Sequence, residues 1–272
     1  MTTHDDPRPP AAPPVIQTAW RQPRAAFAGI VTQIVGYRET GGGRLRQVEA
    51  ASLDIPLVIS FGDPFAIGLG RDPSDNERYG SFTSGLFAGP VTIDSFGASH
   101  CLQINFTPLG ARQFFAMPMT ELSERMVALD DVLGAAGGSL REQLGATADW
   151  ESRFDLAEAF VADRLAKAHA PAADVAWAFD AIAATGGARR IASIAREIGL
   201  SRKHLVDRFR REVGLGPKSV SRIVRMRRAL SAAGSGDGWA DIAADCGYAD
   251  QAHMVREFRD LAGRTPSTLA IG

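Results

Sequence analysis

The chain has 272 residues, 45% of them hydrophobic, a formal net charge of -1 and two cysteines. This length favours two cores over one, and the apolar content suffices for both. Cys101 and Cys246 lie far apart in hydrophobic surroundings, which excludes a disulfide framework and a CxxC metal knuckle, and no apolar run approaches the ~20 residues of a membrane span or a signal-peptide core, so a cytoplasmic protein without membrane contact is expected.

Residues 1–14, MTTHDDPRPPAAPP, combine proline, charge and small side chains without apolar periodicity and read as a disordered tail. Residues 15–168 read as a β-rich domain with helices at its C-terminal end. Structure begins near Val15 to Phe27, and up to about Phe106 short β-type runs alternate with turn residues: FAGIVTQIVGY, a break at Gly41-Gly42-Gly43, IPLVISF, SFTSGLFAG, VTIDSFG and CLQINF. That spacing predicts an antiparallel sandwich or barrel. After Pro108, Ala, Leu and Glu recur at helical spacing, in ELSERMVAL behind Met119-Thr120 and in DWESRFDLAEAFVADRLAKA, and these helices are expected to cover or extend the sheets. His169-Ala170-Pro171 marks a linker over residues 169–173, and residues 174–272 read as all helical. The fold class is therefore α+β.

Charge is segregated along the chain. Residues 186–272 hold 16 Lys+Arg against 9 Asp+Glu, or +7, leaving 14 against 22, or -8, for residues 1–185. A basic C-terminal unit suits a polyanion, and the acidic remainder would be repelled from phosphate. The same unit contains an internal repeat: IAREIGLSRKHLVDRFRREVGLGP, from Ile194 to Pro217, is echoed by IAADCGYADQAHMVREFRDLAGRTP, from Ile242 to Pro266. Gly199 matches Gly247, Leu205 matches Met254, Phe209 matches Phe258 and Gly214 matches Gly263. The offset is 48 before the turn and 49 after it, so one extra residue sits where a turn can absorb it.

Each copy has the parts of a helix-turn-helix, over about residues 190–213 and 239–262. A short helix with Ile and Ala inward ends at a glycine suited to positive φ, and a second helix follows from an N-cap, Ser201 or Asp250. The apolar i, i+4 pairs bury one face of each second helix. Arg202, Lys203, Val206 and Asp207 in the first unit, and Gln251, Ala252, His253 and Arg256 in the second, are left to meet a major groove. Between the units, PKSVSRIVRMRRAL reads as one helix whose Arg222, Arg225, Arg227 and Arg228 either fix the separation of the recognition helices or touch phosphates. The rival reading of the repeat is a protein-interaction scaffold with a helical-repeat tail.

These features closely resemble the DNA-binding domain of the AraC/XylS family of bacterial transcription regulators, over residues 186–270 and most specifically in IAADCGYADQAHMVREFRDLAGRTP. The resemblance implies double-stranded DNA as partner. It also implies that Lys203, Val206 and Asp207, and Gln251, His253 and Arg256, lie at or near base-contacting positions. Two residues depart from that role. Val206 cannot hydrogen-bond a base, and Asp207 stands where some relatives carry a basic or amide group. Asp207 either accepts from cytosine N4 or, the favoured reading, forms an ion-paired ladder with Lys203 and Arg211. The stretch from INFTPLGARQFFAMP to WESRFDLAEAFVADRL is similar to one subgroup of the family. There the N-terminal region senses a small molecule, dimerises or both, often through a cupin-related barrel, so a small-molecule effector, a homodimer and RNA polymerase are candidate partners.

No cofactor, metal or catalytic site is expected. A cupin-type metal site needs several converging His and carboxylate ligands, and the sheet region offers His100 alone, read as a structural polar residue. Asp63, Asp72, Asp75 and Glu77 look like turns with solvated charges, and Gly68 and Gly70 like strand or turn punctuation. The enzymatic alternative is a DNA-repair alkyltransferase-type regulator using Cys101, but adjacent strand residues would point His100 and Cys101 to opposite faces. Phe61, Phe65, Phe82 and Phe96 are read as core rather than ligand pocket.

Overall fold

A computed structural model describes residues 14–270, so the expected tail lies outside the described residues except for Pro14. The described residues hold ten strands, the last of them after the first helix: β1 (Val15–Arg21), β2 (Val31–Thr40), β3 (Leu45–Glu49), β4 (Ile55–Ser60), β5 (Phe65–Leu69), β6 (Arg78–Tyr79), β7 (Phe82–Ser84), β8 (Val91–Ser95), β9 (His100–Phe106) and β10 (Met126–Ala128). They form two antiparallel sheets, a six-stranded one in the order β1-β2-β9-β4-β7-β10 and a four-stranded one in the order β3-β8-β5-β6.

The six-stranded sheet is a middle layer, and its sequence alternation shows why. Ile34, Leu57, Ile59, Leu102, Ile104 and Phe106 join a buried cluster with the helices. Their neighbours Val35, Tyr37, Val58, Cys101 and Gln103 line a space facing the smaller sheet. On the helical side the ring of Trp150 lies so close to Gly36 that a Cβ there would sit 2.4 Å from it. Glycine is the residue that lets this helix approach the strand.

The covering helices are α1 (Pro108–Phe115), α2 (Leu129–Leu133), α3 (Ala135–Ala146) and α4 (Trp150–Leu165). Thr107 caps α1 by accepting from the Gly110 amide at 3.0 Å, and Asp149 caps α4 through the Ser152 amide at 2.8 Å. Seven more helices follow: α5 (Ala173–Ala184), α6 (Ile191–Glu197), α7 (Arg202–Val213), α8 (Pro217–Ala232), α9 (Trp239–Asp245), α10 (Gln251–Ala262) and α11 (Pro266–Ala270). N-terminal antiparallel sheets followed by an all-helical C-terminal part is the α+β class read from the sequence. One contiguous buried cluster runs from Phe27 in the sandwich to Ala262 in α10.

Two local readings are corrected. ELSERMVAL does not form a helix: a 3-10 turn at Met119–Glu121 leads through Glu124, at φ 58°, into β10, whose Met126 and Ala128 pair with Ser84 and Phe82 of β7. Pairing with an otherwise open sheet edge outweighs the local helical spacing. LRQVE, which carries no long apolar run, is the edge strand β3, held by its ladder to β8.

Candidate nucleic-acid interface

The two repeats fold into the same local geometry. In the first, α6 ends with Gly199 at φ 68°, and the Leu200 amide donates to the carbonyl of Ala195 at 2.9 Å. In the second, α9 ends with Gly247 at φ 76°, and the Tyr248 amide donates to Ala243 at the same distance. These are left-handed glycine endings, where a Cβ would be strained. The side chains of Ser201 and Asp250 then accept from the amides of His204 at 3.2 Å and His253 at 2.6 Å and start α7 and α10. Gly199 to Ser201 spans two steps and Gly247 to Asp250 three, which places the extra residue in the second turn. Leu205, Phe209, Met254 and Phe258 are all fully buried.

What remains on the outside is polar. Ser201, Arg202, Lys203 and Asp207 are exposed on the first unit and Asp250, Gln251 and Arg256 on the second, while Val206 is half-buried. His253 is half-buried too. Its Nδ1 accepts from the Ala249 amide at 3.3 Å and its ring stands edge-on to Tyr248. Asp207 makes no ion pair with Lys203 or Arg211, which corrects the favoured ladder. The carboxylate stays in water because an exposed i, i+4 pair gains only ~0.3–0.5 kcal/mol against the entropy of holding two side chains.

Arg222 and Arg225 divide from the other basic residues. Arg225 donates from Nη2 to Oε1 of Glu257 at 2.8 Å and lies over the Tyr248 ring at 4.7 Å, while Arg222 donates to Glu257 at 3.1 Å and to Asp260 at 3.0 Å. Glu257 is 5% exposed. Both arginines thus tie α8 to α10. Arg227 and Arg228 are exposed.

The C-terminal ends of both recognition helices rest on the N-terminal half. Ser123 donates from Oγ to the carbonyl of Gly214, just past α7, at 2.9 Å, and Arg112 of α1 lies 3.3 Å from Glu212. On the second unit the Ala51 amide donates to the carbonyl of Leu261 at 2.8 Å. The last carbonyls of a helix have no partner within it, so these contacts satisfy groups that would otherwise be orphaned. Neither Ser123 nor Ala51 is legible as an anchor in the sequence, since each acts across a long chain separation.

Between the two sheets lies a cavity of about 680 Å³. Phe65 and Phe82 line it and also belong to a small buried cluster with Val58, Ile67 and Cys101, as their reading as core expects. Phe61 instead packs edge-on to His100 at 4.3 Å, and Phe96 lies under Arg78. His100 points toward the helices, where burial and then the charges of Arg153 and Arg38 depress its pKa to about 4. Cys101, next in sequence, faces the cavity, and burial pushes its thiol up to about 12. That is the reverse of an activated thiolate and speaks against the alkyltransferase chemistry at this residue. Glu77 forms a 2.5 Å ion pair with Arg71, and Asp72 a 2.8 Å pair with Arg46, so these carboxylates are tied into turns. Among the described residues no helix is long and apolar enough to cross a membrane, and no group of three His, Cys, Asp or Glu side chains is placed to hold a metal.

Residues 194–270 match a family described as a helix-turn-helix domain. Among solved structures, the chain is similar to the C-terminal domain of AraT, a response regulator from Geobacillus stearothermophilus, at 19% identity and a TM-score of 0.35, covering 37% of this chain and 86% of that one. It is similar to a DNA-binding transcriptional dual regulator from Escherichia coli K-12 at 25% identity and 0.32, covering 36% and 95%. ToxT from Vibrio cholerae aligns at 10% identity and 0.44, covering 84% and 98%. No curated protein matches the chain.

Proposed function

We infer, from residues 194–270 being an AraC-type helix-turn-helix domain, that this chain is a transcription regulator that binds DNA sequence-specifically through α7 and α10, under the control of its N-terminal half. The observation that carries the reading is the polarity of the two recognition helices. Each begins at a capped N-terminus with exposed polar side chains, and each ends against the sandwich, so the N-terminal halves are the ends free to enter a groove.

Arg202 and Lys203, with Asp207, read or position one major-groove segment, and Gln251, His253 and Arg256 the next, roughly one turn or ~34 Å away. Ser201 and Asp250 set the starts of these helices, and Arg222 and Arg225 act indirectly by fixing α10 against α8. Because the two helices differ in sequence, the site within one chain is asymmetric. Dimerisation would duplicate it, and β1, an edge strand exposing Val15, Ile16 and Trp20, offers a place for a second copy. Contact with RNA polymerase would follow from binding beside a promoter.

Control by a small molecule is supported by the position of the cavity. Residues 50–52 and Asp54 line it, and the Ala51 amide within this segment holds Leu261. On another wall, Gly85 and Leu86 bond to Leu122 and Glu124, either side of Ser123, which holds Gly214. Occupancy therefore bears on both recognition helices. Selection of bound fragments from random DNA, followed by footprinting of the full chain, tests the reading. An asymmetric protected site with a steep salt dependence is expected, whereas binding without sequence preference and with a shallow salt slope would overturn it.

A further inference from the structure

The walls of the inter-sheet cavity differ from end to end. Tyr37, Phe65 and Phe82 stand toward one end, with ring centroids 6.4 Å apart for Tyr37 and Phe65 and 6.5 Å for Phe65 and Phe82. The other end carries two carboxylates, Glu49 and Asp54. The ladders set the distance between the ends. Leu45 of β3 faces Ser95 near the aromatic end and Glu49 faces Val91, so the acidic end lies four residues further on, about 13 Å away. Among the described residues no Lys, Arg or His side chain lines the cavity.

Among the described residues Glu49 has neither an ion-pair nor a hydrogen-bond partner, and it is exposed as well as lining the cavity. The protein crowded around it, and then the charge of Asp54, raise its pKa. Asp54 accepts a hydrogen bond from Thr32 at 2.9 Å and forms a long ion pair with Arg227 of α8, 3.9 Å away. A carboxylate ligand entering this space would give up hydration and be repelled by two like charges, with no cation on the cavity wall and Arg227 already paired to Asp54. An organic cation would gain both carboxylates and the faces of the aromatic rings.

We propose that the cavity binds an elongated lipophilic cation, an amine with an apolar tail, whose tail lies between Tyr37, Phe65 and Phe82 and whose ammonium group is held by Glu49 and Asp54. This rests on the reading of the N-terminal half as an effector domain and names the class of effector. Pairing with the ligand draws Asp54 away from Arg227, so binding is felt in the helix that joins the two helix-turn-helix units.

The test is calorimetric titration of the DNA-free, full-length protein with phenylhexylamine, phenylhexanol and phenylhexanoic acid, which share a tail and differ in head-group charge. The expected order is amine, then alcohol, then acid, with Glu49→Gln or Asp54→Asn weakening the amine about ten-fold and leaving the alcohol unchanged. Should Glu49→Gln fail to fold, Gln47→Lys, placed on the same wall, is expected to turn the preference toward the acid. The proposal is overturned by acid binding as tightly as amine in the unaltered protein, by no binding of any of the three, or by an amine-to-alcohol ratio that neither the neutral substitutions nor Gln47→Lys moves. Footprinting of the same preparation separates the two readings, since a lost footprint with selective amine binding defeats only the DNA assignment, and an intact footprint without it defeats only this one.

Discussion

The backbone amide of Ala51 donates to the carbonyl of Leu261 at 2.8 Å, joining the loop after β3 to the last turn of α10. A neutral hydrogen bond of this kind is worth only ~0.5–1.5 kcal/mol net, yet leaving a buried carbonyl unpaired costs ~1–3 kcal/mol. The contact therefore specifies where α10 sits more than it stabilises the chain.

Its counterpart on α7 gives a direct prediction. Ser123 Oγ lies 2.8 and 2.9 Å from the carbonyl oxygens of Met119 and Gly214, which share its single donor hydrogen. Ser123→Ala leaves the Gly214 carbonyl without that donor and is expected to cost about 1–2 kcal/mol in denaturant unfolding. It should also raise amide exchange at the C-terminal end of α7 while leaving α10 protected. Equal loosening of both helices would contradict separate anchoring.

The basic residues should split into two classes by their mutants. Arg225→Ala leaves buried Glu257 with Arg222 as its one remaining cation, and roughly 2–3 kcal/mol of stability should be lost. Lys203→Ala and Arg256→Ala, at exposed positions, should leave unfolding within about 0.5 kcal/mol of the unaltered protein. If either contacts phosphate, its substitution reduces the slope of log affinity against log salt by about one. Thermal melts beside salt-dependent binding curves check both halves of this contrast.

Asp207 is exposed and unpaired, so Asp207→Ala should not destabilise α7. The expected effect is a change in preference at one base pair, about 1–3 kcal/mol, consistent with a carboxylate accepting from cytosine N4. A binding-site selection that returns the same motif for both proteins would remove Asp207 from base reading.

His100 supplies a pH dependence with a definite sign. Its pKa falls from 6.5 to about 4 on folding, because burial and the nearby Arg153 and Arg38 disfavour the imidazolium. Unfolding releases the ring to take up a proton, so this group's contribution is present above pH 6.5 and is lost as pH falls from about 6.5 to about 4. The stability difference between the unaltered protein and His100→Gln should narrow over that window and stay flat above it. A difference independent of pH between 4 and 7 would show that His100 is not held neutral.

The helix-turn-helix units were legible because their signals are local. Gly199 and Gly247 end a helix, Ser201 and Asp250 begin one, and the apolar pairs recur four residues apart. The sandwich was legible as a class for the same reason. What escaped depends on distant partners: Glu257 meets Arg225 across 32 positions, and the edge strand β3 is defined by β8 rather than by its own hydrophobicity. The cavity was hidden because its lining alternates, residue by residue, with the core of the middle sheet, so Cys101 and Leu102 look alike in sequence and face different surroundings.

The two tethers differ in a way that matters for heredity. One is a hydroxyl, lost when Ser123 is replaced by any residue without one. The other is a main-chain amide, a donor that every residue except proline supplies, although the buried site of Ala51 admits only a small side chain. Drift and selection can thus retune the grip on α7 in single steps, while the hold on α10 passes almost unaltered to descendant proteins.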